Sequence, residues 1–349
     1  MSIFSRRSRE TSTPAAAPVT VNEPFNGSDQ DLSEEIAGLT ALNRTEPSVE
    51  KERRILYLRH LAGVRLLGQS HQAQYPATDF SLLPDLGDSL PEFEPSDLTP
   101  ELVRAAIMRD GSIMVRGLIA RDVALDFADK IESAFVARAQ FEDEGIATPG
   151  TYEEFLAEPG FGGAIVRTWI RDAGGVLAAD SPSLAFQMQE MFSCAGIPEL
   201  ASAYLGQPAL FSADKSTLRK ATPGTAGGWH QDGRFMGPTR ALNLWLSLSR
   251  CGDLAPGLDY VPRRLNDLVA TGTDEVLLDW MVSQTKAEEA AGDRGIVSPI
   301  FEPGDALFFD ELNLHKTGSH PSMPNPRYAI ENWFFATESF PDDYVPIMA

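Results

Sequence analysis

Cysteine, basic charge and long apolar runs are all scarce in this chain, and each scarcity closes off a class of function. Cys194 and Cys251 are its only cysteines. That is too few for a disulfide framework or a cysteine-rich zinc site, so a reducing cytoplasm is the expected location. The 29 lysines and arginines face 50 acids, for a net charge of −21. Nucleic acid needs a basic footprint to offset its phosphates and is not expected as the main partner. No apolar run approaches the roughly 20 residues of a membrane span, so no membrane partner is expected either. The opening "MSIFSRRSRETSTPAAAPVT" carries arginines without an apolar core, unlike a secretory signal. The G-x-S-x-G, H-E-x-x-H and C-x-x-C patterns are absent, which leaves the common hydrolase and zinc readings unsupported.

What is present is an ordinary globular composition, 43% hydrophobic and 23% charged, in a chain long enough for a sizeable core. Residues 1–46 are polar and poor in aromatics and read as a disordered tail. Residues 47–95 read as a helix and an irregular connector packed on the core. There "SVEKERRILYLRHLAGVRLLG" sets Leu56, Leu61, Val64 and Leu67 at helical spacing between a Ser48 cap and a Gly68 stop. Residues 96–349 read as the main domain. It opens with a helix behind Thr99, with Pro100 in its first turn and Gly111 as its stop. "SIMVRGLI" is a short strand, and a helix near 121–138 is expected to bury Val123, Phe127, Ile131 and Phe135. Residues 142–182 read as a Gly-rich loop, and a further helix follows from Ser181 to Gly196.

The second half changes character. "ALFSADKSTLRKA", "RALNLWLSLSR", "GLDYVP", "ALFFDELNLH" and "YAIENWFFAT" are short β-type runs broken by Gly and Pro. In "ALNLWLSLS" the leucines 242, 244, 246 and 248 take one face. Asn243, Trp245, Ser247 and Ser249 take the other, so one face meets a core and the other a polar cavity. "DEVLLDWMVSQTKAEEAAG" reads as a helical insertion. The expected fold is mainly β with a helical layer: an antiparallel barrel or jelly roll behind N-terminal helices.

The chemistry is carried by "GGWHQDGRF", residues 227–235. His230 and Asp232 are i and i+2, and on an extended strand both would leave the same face and reach one ion. Alone, such a pair is a weak signal. His315, after the strand "ALFFDELNL", supplies a third donor, and Arg327 opens the next strand. Two imidazoles and one carboxylate leave coordination positions open, a pattern that favours non-haem Fe(II) oxygen chemistry. A guanidinium nearby can grip a carboxylate at two points. His320 is a rival for the third position, but it follows a loop rather than a strand.

These motifs, in this order, resemble the phytanoyl-CoA dioxygenase-type branch of the Fe(II)/2-oxoglutarate oxygenases over roughly residues 96–336. "RDGSIMVRGLIARDVALDF" resembles the family's opening, "WHQDG" its H-x-D motif and "GDALFFDELNLHKTG" its distal-histidine strand. The resemblance implies a cupin-like double-stranded β-helix with Fe(II) held by His230, Asp232 and His315, together with 2-oxoglutarate and O2. Arg327 would take the distal carboxylate of 2-oxoglutarate, with Thr317 beside it and Trp245 lining the site. Thr217 would add a polar contact, for which Lys215 or Arg219 could substitute. Arg234, Phe235 and Arg263 are candidate substrate contacts. Arg263 lies in "VPRR", where the family usually has "PGSH". Asp232 stands where the family's halogenases have a small residue, which favours hydroxylation of a small-molecule substrate with release of succinate and CO2. Desaturation, cyclisation, epimerisation or a non-catalytic sensor are the alternatives.

Overall fold

The computed structural model describes residues 23–85, 90–161, 165–224, 227–273 and 276–349. Two helices come first, α1 (Asp29–Thr45) and α2 (Val49–Leu67). The first corrects the expectation of disorder for this stretch. Ser28 and Asp31 cap α1 reciprocally, and Leu32 and Ile36 are buried against Tyr57, Leu58 and Ala62 of α2. The remainder of the expected tail, residues 1–22, lies outside the described residues. In α2 the Ser48 side chain accepts from Lys51 N, as its place in the sequence implies.

The strand β1 (Glu92–Phe93) leads into α3 (Pro100–Asp110) and β2 (Ser112–Val115). Thr99 caps α3 and Gly111 ends it at φ 79°, where a Cβ would meet the Arg263 carbonyl oxygen at 2.5 Å. The helix α4 (Arg121–Glu144) buries Ala124, Phe127, Ala128, Ile131, Ala134 and Ala137. Val123, expected inside, is exposed because this small-residue stripe, not the larger β-branched side chain, sets the helix's phase. The stretch expected to be loop carries α5 (Arg167–Asp172) and β3 (Gly175–Leu177). Next come α6 (Pro182–Cys194) and α7 (Ile197–Leu205). Ser181 does not cap α6 with its side chain; its hydroxyl donates to Thr151 O instead.

The barrel strands are β4 (Ala209–Ala221) and, past the short α8 (Gly233–Met236), β5 (Ala241–Ser247) and β6 (Gly257–Tyr260). Beyond them lie α9 (Gln284–Ala291), β7 (Ala306–Asp310), β8 (His315–Gly318), β9 (Arg327–Ala336) and β10 (Pro346–Met348). Only the second half of the expected 274–292 helix forms, where Ser283 caps α9; the described residues before it are bends and turns with one bridge, from Val282 to Trp229.

The main sheet runs β1-β2-β7-β5-β9-β4-β10, with β3 also on β4. Apart from the β1–β2 pair, its ladders are antiparallel. A smaller sheet, β6 with β8, is widened by single bridges from His230 to His315 and from Tyr260 to Val297. The alternation in β5 divides the interior. Leu242, Leu244 and Leu246 join Phe308, Ile330 and Phe334 in the core beneath the helices. Trp245 joins Leu307, Phe309 and Trp333, which face Leu258 and Tyr260 of the smaller sheet. Two sheets closing over a shared inner face make the double-stranded β-helix. Each buried leucine contributes roughly 1.5–3 kcal/mol to holding it shut. Among the described residues, no helix is long and apolar enough to cross a membrane.

Candidate metal centre

The two glycines ahead of His230 let its strand lie close to its neighbours. A Cβ on Gly227 would meet Thr317 N at 2.7 Å, and one on Gly228 would meet the Met281 side chain at 2.0 Å. With that approach open, His230 N donates to His315 O at 2.9 Å and His315 N to His230 O at 3.0 Å. This reciprocal pair sets the two imidazoles side by side, their centroids 4.5 Å apart.

Asp232 does not continue the strand as expected. Its backbone is helical (φ −62°, ψ −27°) and begins α8. The turn, not strand alternation, brings its carboxylate back to the imidazoles. Oδ2 lies 3.9 Å from His230 Nε2 and 3.6 Å from His315 Nε2. Gln231 points away and ties the loop down, donating to Leu312 O and Asp267 O and accepting from Val269 N.

The protonation states suit a cation. His230 Nδ1 bonds to Gly228 O at 2.8 Å and His315 Nδ1 to Asn313 O at 3.2 Å. Carbonyl oxygens only accept, so Nδ1 carries a proton and Nε2 is left facing the cluster. Burial, then His230, lowers the His315 imidazole to about 4. Burial pushes the Asp232 carboxyl up, but the Lys215 ammonium and the two imidazoles outweigh it and hold it at about 2. Lys215 Nζ donates to Oδ1 at 3.1 Å, while buried Oδ2 has no hydrogen-bond partner. A buried carboxylate oxygen with no partner is costly unless something occupies the gap. One ligand atom from each of the three residues lies within 4.8 Å of the others. A divalent ion fits this donor set. His320 takes no part in it; it is exposed and bonded to Ser322.

Arg327 is buried with an incomplete set of partners. Its Nη1 donates to Gly257 O at 2.9 Å, its guanidinium carbon lies 5.3 Å from the Trp245 ring centre, and Nε is unpartnered. Among the described residues no carboxylate pairs with it, and burial lowers its pKa.

A profile of the phytanoyl-CoA dioxygenase (PhyH) family matches residues 108–327. The chain belongs to the phytanoyl-CoA dioxygenase family. Among solved structures, EctD from S. alaskensis, determined with 2-oxoglutarate and 5-hydroxyectoine, has a TM-score of 0.50 at 19% identity. The likeness covers 77% of this chain and 85% of EctD. AviO1 from Streptomyces viridochromogenes Tue57 has a TM-score of 0.42 at 19% identity, covering 70% of this chain and 98% of its own. The likeness to EctD is one of fold, and it agrees with the double-stranded β-helix described above. No curated protein matches this chain. The PhyH-family chain is an enzyme dependent on Fe(II) and 2-oxoglutarate, and its donor set fits that ion.

The other residues singled out from the sequence fall in three places in this PhyH-family structure. Thr317 shares a strand face with His315, opposite Leu258. Trp245 lies on the inner face beneath Arg327, and Thr217 is buried opposite Glu331. Of the alternatives to Thr217, Lys215 is committed to Asp232, and Arg219 Nε donates to Glu331 at 2.9 Å. Phe235 is exposed, its ring 6.3 Å from the His230 ring, with Arg234 exposed beside it. Arg263 is not brought to the centre. It is exposed and packs along Gly292 and Gly111, outside the smaller sheet, because "VPRR" runs under α3 rather than into the barrel. Arg264, half-buried, reaches the main sheet instead and pairs with Asp310 of β7. Trp280 and Trp169 were not foreseen. Trp280 stands edge-on to His230 at 6.1 Å; its only signal was an aromatic residue in a stretch that otherwise reads as a surface helix.

Proposed function

We propose that this enzyme hydroxylates a C–H bond of a small organic molecule, consuming 2-oxoglutarate and O2 and releasing succinate and CO2. The observation that carries the reading is the buried corner of His230, Asp232 and His315, in which Asp232 Oδ2 has no protein partner. His230 Nε2, His315 Nε2 and Asp232 Oδ2 would hold Fe(II). A donor set of two imidazoles and one carboxylate suits an iron ion that also takes ligands from outside the protein. When bound, Fe(II) and 2-oxoglutarate supply the oxidising equivalents for C–H cleavage.

The protein's own part is placement. Arg327 receives the distal carboxylate of 2-oxoglutarate, which supplies the anion its buried guanidinium lacks. Thr317 offers its hydroxyl from the same face as His315, Trp245 forms the wall beneath, and Thr217 closes the far side. Lys215 holds Oδ1, so that Asp232 presents one oxygen rather than two. The opening lies beside His230, whose side chain is 25% exposed while those of Asp232 and His315 are buried. A substrate arriving there would displace water from the reacting corner.

SnoN and SnoK, structural neighbours from nogalamycin biosynthesis, are described as an epimerase and a carbocyclase. Desaturation, cyclisation and epimerisation would use the same corner, so product analysis decides among them. Fe(II) and 2-oxoglutarate added without oxygen should give a visible charge-transfer band that His230→Ala and Asp232→Ala abolish in folded protein. With O2, turnover should release succinate and place one oxygen atom in the product. Binding of both cofactors without succinate would instead indicate a sensor.

A further inference from the structure

Three aromatic side chains from separate segments meet over the open side of the donor corner. Trp280 is edge-on to His230, and Phe235 lies 5.7 Å from Trp280. Trp169, on α5, lies 5.1 Å from Lys215 Nζ. Trp169 and Phe235 remain 39% and 46% exposed, and Leu277 and Leu278, on the segment that carries Trp280, are exposed as well. One exposed ring means little. Two exposed rings and the partly buried Trp280, gathered beside His230, form an apolar surface next to a buried polar corner.

Aromatic walls by themselves would also suit a quaternary ammonium group. The charges beneath argue otherwise. Lys215 already lies against two of the rings, 5.1 Å from Trp169 and 6.0 Å from Phe235. Both acids on the floor are taken, Asp232 by Lys215 and Glu331 by Arg219. Exposed Arg234 and exposed Asp279, next in sequence to Phe235 and Trp280, are opposite in sign. A cationic substrate would meet a like charge, occupied ring faces and no free carboxylate on the floor. A flat neutral ring would displace water from the apolar faces and disturb none of these pairs.

We infer that the substrate presents a flat, unsaturated ring system, neutral or anionic, to this funnel, and that cationic substrates are excluded. The inference rests on the reading above, because the funnel matters only if the chemistry happens at the corner below it. Calorimetry on anaerobic protein loaded with Fe(II) and 2-oxoglutarate tests it, with 2-naphthol, 2-naphthoate and (2-naphthyl)trimethylammonium as probes. The first two should bind at least about tenfold more tightly than the third. Trp280→Ala and Trp169→Ala should each weaken 2-naphthol by about fivefold. The two lie on different segments, so a folding defect in one variant leaves the other to decide. The charge-transfer band is recorded on the same sample. If the band is present but the cation binds as well as 2-naphthol, or no naphthalene binds, or neither variant weakens binding, the inference is overturned and the oxygenase reading stands. If the band is absent, both go.

Discussion

The ammonium of Lys215 lies 3.1 Å from Oδ1 of Asp232, and the other oxygen of that carboxylate has no hydrogen-bond partner. One half of the carboxylate is thus neutralised from within the chain and the other half is kept free. Both side chains are nearly inaccessible, at 8% and 6% exposure. Removing one member of such a pair leaves the other charge buried and uncompensated.

Lys215→Met should therefore destabilise the metal-free protein by roughly 3 kcal/mol. A divalent ion takes over the neutralisation, so Mn(II) should raise the melting temperature of the variant more than that of the wild type. Urea unfolding of the metal-free proteins measures the first quantity, and thermal melts with and without Mn(II) measure the second. Equal metal-induced shifts would mean that Lys215 and the ion do not share the carboxylate.

Two groups near this corner, buried His315 and half-buried Glu311, titrate in opposite senses. His315 is held at about 4, mainly by burial, below its ordinary 6.5. The unfolded chain then carries the extra proton, so stability falls as pH drops from 6.5 toward 4. Glu311, whose Oε2 accepts from Ala241 N, is raised from 4.5 to about 7 by burial and the neighbouring Asp310. Here the folded chain carries the extra proton, so stability falls as pH rises from 4.5 toward 7. Each slope is about 1.4 kcal/mol per pH unit, and in the wild type they largely cancel. His315→Gln should lose stability as pH rises across this window, and Glu311→Gln should gain it, each by on the order of 2 kcal/mol. Parallel pH profiles for the two variants would contradict the assignment.

The sequence revealed the residues that local chemistry dictates. Ser48, Thr99 and Gly111 mark helix ends because caps and left-handed stops are local requirements. The leucine alternation of β5 identifies an inner and an outer face because a strand has a period of two. Where the outcome depends on distant partners, the pattern was silent or misleading. Arg263 reads as a substrate contact until the path of "VPRR" past Gly111 is known. Asp232 reads as a strand residue, yet its carboxylate reaches the imidazoles through a helical turn. The smaller sheet relies on single bridges such as His230 to His315, which no run of apolar residues announces. Helix α1 was missed because its composition is polar; its Leu32 and Ile36 gain meaning only against Tyr57 and Leu58.

That helix gives a prediction of its own. If α1 is part of the folded unit, Ile36→Ala opens a hole against α2 and should cost about 2 kcal/mol in urea unfolding. If residues 29–45 were a free tail, the substitution would leave the unfolding midpoint where it is.

Arg327 carries the most contrary expectation. Its guanidinium is buried, with Nε unpaired and no carboxylate beside it among the described residues, so it strains the empty protein. A methionine of similar length would fill the same space over Trp245 without the charge. Arg327→Met should therefore raise the melting temperature of the cofactor-free protein. The same change removes the partner proposed for the distal carboxylate, a charge-assisted contact of about 2 kcal/mol, so 2-oxoglutarate should bind about thirtyfold more weakly. Mn(II) affinity, which depends on the other end of the cavity, should hardly move. Melting scans of the empty variant and anaerobic calorimetry with 2-oxoglutarate separate the possibilities. A structural arginine would lower the melting temperature when replaced and leave 2-oxoglutarate binding intact, whereas an anion receptor does the reverse on both counts.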